Sequence, residues 1–275
     1  MSLQFTMVGL GRMGANIARR IQKHIDGPIS ISVFDVNADT VTLVAQEGFT
    51  GLSSLADLAK YNNEANPQIV WVMVPAEVTK ETIAKVAEHL APGSVIIDGG
   101  NTFYRDDIAN SDWLAEKGIK FVDVGTSGGV YGLERGYSLM IGGDKAVVDR
   151  LDPIFKALAP GVSAADRTPG KDGSPAQAEY GYLHCGPVGS GHFVKMVHNG
   201  IEYGAMAAYA EGLNLLHKAG DGIKHPTFVG KHNETKYDLD LKEITEVWRR
   251  GSVVASWLLD LTAQAYEEDA ELSAY

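Results

Sequence analysis

Short runs of β-branched and aliphatic residues alternate with segments of helical period over roughly the first 165 residues. Strands are predicted over 3–8 (Leu3-Gln4-Phe5-Thr6-Met7-Val8), 29–34, 69–74, 94–98, 119–124 and 138–142. Helical spacing of apolar positions falls between them, over 12–24, 37–46, 77–90 and 144–158. Strand and helix in strict alternation predict parallel strands joined by right-handed helical crossovers, hence a Rossmann-type, doubly wound α/β sheet.

The pattern changes after residue 165. Residues 166–190 hold several Gly and Pro residues, the charges of Asp166-Arg167 and Lys171-Asp172, and little periodicity, which predicts a connection between domains. A long helical pattern rich in Ala, Met, Leu and Tyr follows over 190–218, then a polar stretch, then helices over 240–249 and 252–267. This divides the chain into a dinucleotide-binding domain, 1–187, and an all-helical substrate and dimerisation domain, 188–275. No internal repeat is evident.

Composition excludes several classes of function. With 45% hydrophobic and 21% charged residues the chain has the balance of a soluble globular protein. A formal net charge of −11 argues against binding nucleic acid or anionic membrane, both of which need basic surface to neutralise phosphates. An anionic substrate must therefore meet a local cluster of basic groups. Cys185 is the only cysteine, so no internal disulfide can form and a cytoplasmic setting is expected. The N-terminus runs straight into the first strand, so no signal peptide is expected, and no run of about 18 apolar residues predicts a membrane span.

Chemistry enters at the first turn. Gly9-Leu10-Gly11-Arg12-Met13-Gly14 lies between the first strand and the first helix, where G-x-G-x-x-G has a mechanical meaning. The first glycine allows the tight turn, the second lets backbone approach a pyrophosphate, and the third lets helix and strand pack closely. Asp35 ends the second strand 21 positions after Gly14, where an acidic residue would hold a ribose 2′-hydroxyl and repel the 2′-phosphate of NADP. Its other reading is a cap on the following helix. Val74, Pro75 and Asn101 complete the expected cofactor contacts, and NAD is the expected cofactor.

The second chemical signal is Gly191-His192-Phe193-Val194-Lys195-Met196-Val197-His198-Asn199-Gly200-Ile201-Glu202-Tyr203-Gly204. From Lys195, the residues His198, Asn199, Glu202 and Tyr203 fall at i+3, i+4, i+7 and i+8, on one helix face roughly 140° wide. A salt bridge would use a spacing of three or four; Lys195 and Glu202 are about 10.5 Å apart along the axis. That leaves room for a short carbon chain, with one group removing a proton and the other returning one. Unperturbed, a lysine near 10.4 is a poor base and a glutamate near 4.3 a poor acid at neutral pH, so partial burial is required of both. Gly200 and Gly204 each weaken a helix by about 1 kcal/mol relative to Ala, which points to close approach of a ligand or backbone, or to tight helix packing.

This helix segment resembles the signature helix of the 6-phosphogluconate dehydrogenases. Asp98-Gly99-Gly100-Asn101 resembles the same family's D-x-G-N turn, and Gly125-Thr126-Ser127-Gly128-Gly129 with Ser138-Leu139-Met140-Ile141-Gly142-Gly143 resembles its substrate loop and next strand. The resemblance implies an oxidative decarboxylation of a phosphorylated sugar acid without a metal. Lys195 would be the general base and Glu202 the acid. Asn101, Ser127, Gly128, Gly129, His198 and Asn199 would hold the sugar acid, and Tyr203 its phosphate.

Departures from the family pattern are equally specific. NADP-using members resemble one another in Asn-Arg-Thr at the position of Asp35-Val36-Asn37, which again implies NAD. The W-R-G-G-C-I-I-R of longer members is matched by Trp248-Arg249-Arg250-Gly251-Ser252-Val253-Val254-Ala255, so the arginine that binds phosphate is replaced by Ala255. Arg249, Arg250 and Arg135 are the candidates to replace it. The chain resembles a short form of the family, expected as a homodimer or homotetramer, and the acidic run Glu267-Glu268-Asp269 without a helix stop signal suggests a polypeptide that continues past Tyr275. The alternatives are a β-hydroxyacid dehydrogenase for a small unphosphorylated acid, favoured by Ala255, and a non-catalytic dinucleotide sensor.

Overall fold

A computed structural model describes residues 2–61, 67–219, 237–270 and 272–273. The chain forms two compact units, Met1–Val197 and His198–Tyr275.

The first unit is built on an eight-stranded sheet ordered β3-β2-β1-β4-β5-β6-β7-β8. Its strands are β1 (Leu3–Val8), β2 (Ile29–Phe34), β3 (Thr50–Gly51), β4 (Ile69–Val72), β5 (Val95–Asp98), β6 (Lys120–Ser127), β7 (Ser138–Gly143) and β8 (Tyr182–Gly186). The helices are α1 (Gly14–His24), α2 (Ala38–Ala45), α3 (Ala76–Ala87), α4 (Tyr104–Glu116), the single turn α5 (Gly132–Arg135), α6 (Lys145–Arg150), α7 (Asp152–Leu158) and α8 (Gln177–Tyr180). Side chains alternate across the strands, so two cores form. Phe5, Met7, Trp71, Ile97 and Val122 pack with Ile17, Ile21, Phe155 and Leu158 of the helices on one face. Val70, Val72 and Ile96 pack with Ile83, Val86 and Leu114 on the other. The predicted doubly wound architecture is the one observed, and six of its strands lie where the hydrophobic runs put them.

Three features differ from the pattern. First, β7 runs antiparallel to β6, pairing Val124 with Ile141. A parallel return needs a crossover of a dozen or more residues, and the segment between Ser127 and Ser138 offers only a short turn and α5. Second, the helix expected over 144–158 is broken into α6 and α7, because Pro153 lacks an N–H and its ring crowds the preceding turn. Third, the segment 166–190, read as a connection, contains α8 and the edge strand β8, which pairs in parallel with β7 through Leu139 and Tyr182. Only Tyr182 of β8 is buried, so the strand carries no alternation for a sequence reading to find. Helix α4 is similarly quiet, because two of its three buried residues, Asp107 and Asn110, are polar.

Helix α9 is continuous over Ser190–Lys218. In the second unit Leu213 of this helix packs with Leu241 of α10 (Leu241–Arg249) and Tyr266 of α11 (Trp257–Glu268). The helix expected over 252–267 begins later, at Trp257, where the Ser256 hydroxyl accepts from the Leu259 amide at 3.2 Å and caps it. The polar stretch after residue 218 lies largely outside the described residues. Among those described, no helix is long and apolar enough to cross a membrane.

Candidate functional site

The glycine turn follows β1 directly. Gly9 has φ +95°, and a Cβ there would lie 2.3 Å from the Met73 carbonyl oxygen. A Cβ on Gly14 would lie 1.9 Å from the Gly9 carbonyl oxygen. Both positions therefore exclude any larger residue. At Gly11 a Cβ would meet nothing within 4 Å. Among the described residues this glycine faces open space at the start of α1, which no side chain caps, an arrangement that could receive a pyrophosphate at the helix N-terminus. Leu10, Arg12 and Met13 fill the rest of the turn. Val74 packs its Cγ1 toward Gly9, and the exposed Pro75 precedes α3.

The Leu10 amide donates to Asp35 Oδ2 at 2.7 Å and the Asn37 amide to Oδ1 at 2.9 Å. The cap of α2 is Asn37, whose Oδ1 accepts from the Asp39 and Thr40 amides. Asp35 is thus fastened to the glycine turn rather than spent on the helix. Asp35, Val36 and Ser53 are among the residues lining a cleft of ≈690 Å³ whose walls, among the described residues, include no lysine or arginine.

The neighbouring strand ends carry the next group of residues. Asp98, fully buried at the end of β5, accepts from the Gly100 amide at 2.9 Å and the Thr102 hydroxyl at 2.7 Å, which shapes the turn presenting the exposed Asn101. Burial raises the Asp98 pKa. At the end of β6, Ser127 is half-buried, whereas Gly128 and Gly129 are exposed at φ +137° and +53°. Behind them the buried Arg20 guanidinium donates to the carbonyls of Leu133, Leu158 and Ala159 at 2.8 to 2.9 Å, holding the turn that follows.

The start of α9 is seated on β6 and β7 by a buried carboxylate. Asp123 accepts from the Gly189 amide at 2.7 Å and the His192 amide at 2.9 Å, so it caps the helix from another strand. The seat is shaped by absent side chains. A Cβ on Gly142 would lie 2.4 Å from Asp123 Oδ1, one on Gly191 2.5 Å from the Met140 carbonyl oxygen, and one on Gly125 2.3 Å from Lys195 Cβ. Lys195 is consequently buried, at 7% exposure.

One turn before Lys195, His192 Nδ1 lies 2.7 Å from Asp107 Oδ2, with both side chains buried. Burial opposes charge on His192, but the Asp107 hydrogen bond and the charges of Asp107, Asp98 and Asp123 outweigh it and lift the imidazole to about 8. Burial pushes the Asp107 carboxyl up to about 6 against the pull of His192. Donor atoms of Asp98, Asp107 and His192 lie within 4.8 Å of one another; His192 is bonded to Asp107, and Asp98 to Gly100 and Thr102 of its own turn.

Both shifts are upward, so the folded chain holds protons more tightly than the unfolded one. Stability from His192 is complete below its unfolded value near 6.5 and is lost as pH rises through about 8. Between pH 6.5 and 8 the wild type is expected to lose about 1 kcal/mol relative to a His192→Gln/Asp107→Asn variant. Urea melts of both proteins across that range check this, and parallel curves would refute it.

In the second unit, His198 Nδ1 lies 3.3 Å from Asn199 Oδ1 and 3.7 Å from Glu202 Oε2, so three of the four predicted polar residues form one cluster. Tyr203 is 72% exposed. Among the described residues, a Cβ at Gly200 or Gly204 would meet nothing within 4 Å. Sequence reasoning missed Asp123, Asp107 and His192 as partners. The available signal was Asp123 itself, a lone carboxylate in the apolar run Phe121-Val122-Asp123-Val124.

Comparison with known proteins settles the lineage. Residues 4–165 match the NAD binding domain of 6-phosphogluconate dehydrogenase, and residues 191–230 match that enzyme's C-terminal domain. The chain belongs to the 6-phosphogluconate dehydrogenase family. A relative in Haloferax volcanii named 6-phosphogluconate dehydrogenase, NAD(+)-dependent, decarboxylating is 34% identical over 97% of this chain and 76% of its own length. The Plasmodium falciparum 6-phosphogluconate dehydrogenase structure superposes with a TM-score of 0.70 at 26% identity, over 96% of this chain and 50% of that one. A Salmonella typhimurium 3-hydroxyisobutyrate dehydrogenase gives 0.72 at 19% identity, over 97% and 79%, and shares the fold. Within the 6-phosphogluconate dehydrogenase family, the first matched segment is the NAD-binding Rossmann domain and contains the glycine turn, Asp35 and Asp98-Gly99-Gly100-Asn101. The second begins at Gly191 and contains Lys195 through Tyr203.

Proposed function

We propose that this chain oxidatively decarboxylates 6-phospho-D-gluconate to ribulose 5-phosphate and CO2, passing hydride to NAD, as a short form of its family. The observation that carries this reading is Lys195, buried against Gly125 two residues before Ser127-Gly128-Gly129, on the helix that also bears Glu202. NAD, when bound at the turn of Gly9 to Gly14 with its ribose at Asp35, supplies the hydride acceptor. Lys195 in its neutral form takes the 3-hydroxyl proton as hydride leaves C3. The 3-keto acid so formed is β to its carboxylate and loses CO2 without a metal, and Glu202 protonates the enediol carbon that lost it. Asn101, Ser127, Gly128, Gly129, His198 and Asn199 hold the sugar acid and Tyr203 its phosphate. We read the domains as 1–187 and 188–275 along the chain, the first turns of α9 being seated on the first domain, and the enzyme as a homodimer or homotetramer.

A second reading, dehydrogenation of a small unphosphorylated β-hydroxyacid, is favoured by the phosphate side. Ala255 replaces the family arginine. Arg249 is paired with Asp260 and Glu246, and Arg250 with Glu246, which leaves neither guanidinium unclaimed. Steady-state NAD and NADP reduction with 6-phosphogluconate and with 3-hydroxyisobutyrate, with CO2 measured in parallel, separates the readings. Turnover of the second acid alone sinks the first reading, and NAD binding without any turnover supports a sensor.

NAD preference is assigned to Asp35. Asp35→Ala removes the carboxylate that would meet a 2′-phosphate and is expected to narrow the NAD-to-NADP ratio of kcat/KM at least about tenfold, since repulsion or an unpaired charge is worth more than 1.4 kcal/mol. An unchanged ratio would show that Asp35 serves only the turn.

A further inference from the structure

We propose that His192, hydrogen-bonded to Asp107 of α4 and close to Asp98 of β5, is a positioning residue for Lys195. The inference rests on the reading of Lys195 as the base. His192 belongs to the first turn of α9 and precedes Lys195 by three residues, so both stand on one side of that helix. The turn is gripped twice. Asp123 takes the His192 backbone amide at 2.9 Å, and Asp107 takes the imidazole at 2.7 Å.

The second grip reaches the substrate turn. Asp98, whose carboxylate lies within 4.8 Å of the other two donor groups, is bonded to Gly100 and Thr102 on either side of Asn101. Asp107 lies on the helix that begins three residues after Asn101. The cluster therefore sets Asp98, bonded to the turn carrying Asn101, close beside His192 on the helix carrying Lys195, while Asp107 fixes that imidazole by its hydrogen bond. Rotation of the imidazole is blocked, because His192, Asp98 and Asp107 are all buried, at 3%, 0% and 0% exposure.

An ion pair in this position is not explained by stability. Well-packed apolar residues of similar size in place of a buried pair are commonly neutral or stabilising, whereas removing one partner strands a charge. What the pair adds is a directional bond that fixes the first turn of α9 against α4. A displacement of about 1 Å at a catalytic group costs on the order of 100-fold in rate, so that fixing is worth having at Lys195.

The decisive variant is His192→Leu/Asp107→Leu, assayed in the full chain with Asp107→Asn, which keeps an acceptor for the imidazole N–H. For the double variant we expect a thermal midpoint equal to or above wild type, unchanged NAD affinity, KM within about threefold and kcat lowered about 10- to 100-fold. Asp107→Asn is expected to hold kcat within about threefold of wild type, the hydrogen bond being kept. Wild-type kcat in the folded double variant overturns the inference, as does a loss in Asp107→Asn equal to that of the double variant. If the double variant does not fold, or the wild type turns over no sugar acid, the readout is the rate of reductive methylation of Lys195, followed by peptide mass spectrometry in wild type and His192→Gln. A rate changed about fivefold or more supports positioning of Lys195 whatever the substrate, and an unchanged rate refutes it. Absence of sugar-acid turnover with a changed rate would reject the proposed function alone.

Discussion

Lys195→Met is expected to lower turnover of 6-phosphogluconate at least about 100-fold, the usual scale for removing a general base, while NAD binds with nearly its original affinity. Methionine matches lysine in length and suits a buried position, so the seat on β6 stays filled. It has no nitrogen to accept the 3-hydroxyl proton. The glycine turn and Asp35 are separate from it in the chain and are held by their own bonds to Phe34, Leu10 and Asn37. Isothermal titration with NAD beside a steady-state assay measures both quantities. Full activity in this variant would remove Lys195 from the chemistry.

The second large effect is expected from Gly125→Val, although Gly125 contributes no functional group. Its missing side chain is what admits Lys195: a Cβ there would stand 2.3 Å from Lys195 Cβ and 2.9 Å from its Cγ. Real Cβ atoms do not approach so closely, so the first turn of α9 must lift from β6. We expect kcat to fall about 100-fold or more from misplacement of the base, with roughly 1 to 3 kcal/mol lost to overpacking. NAD affinity is expected to hold. Retention of kcat within threefold would mean that the helix position is not critical; a stopped assay and a urea melt on one preparation separate rate from stability.

How far the sequence foretold the molecule varies with the kind of information each part needs. Strands such as Ile69–Val72 and Val95–Asp98 are buried on both faces and announce themselves as apolar runs, and their alternation with helical periods implies the sheet. Strand β8 and helix α4 were illegible because their places are earned by pairing and by buried polar groups, which leave no hydrophobic period. The same division holds in the site. The glycine turn and the stripe from Lys195 to Tyr203 are local and could be read by spacing. Asp107 and Asp123 reach His192 from 85 and 69 residues away, and no local rule links them. Asp35 sits between these cases. Its position was legible, but the helix-cap reading falls only because Asn37 takes the cap.

The capping of α9 by Asp123 also bears on how such chains can be cut and exchanged. A fragment ending at 187 would keep β6 but lose the amides of Gly189 and His192, leaving a buried carboxylate without its donors and the hollow at Gly125 unfilled. The nucleotide-binding half is therefore not a module that ends where its last strand ends. Its smallest transplantable form carries the first turns of the following helix with it, so any recombination that trades the helical half for another must cross inside α9. Lys195 travels with the cofactor half, and Glu202 can arrive from elsewhere.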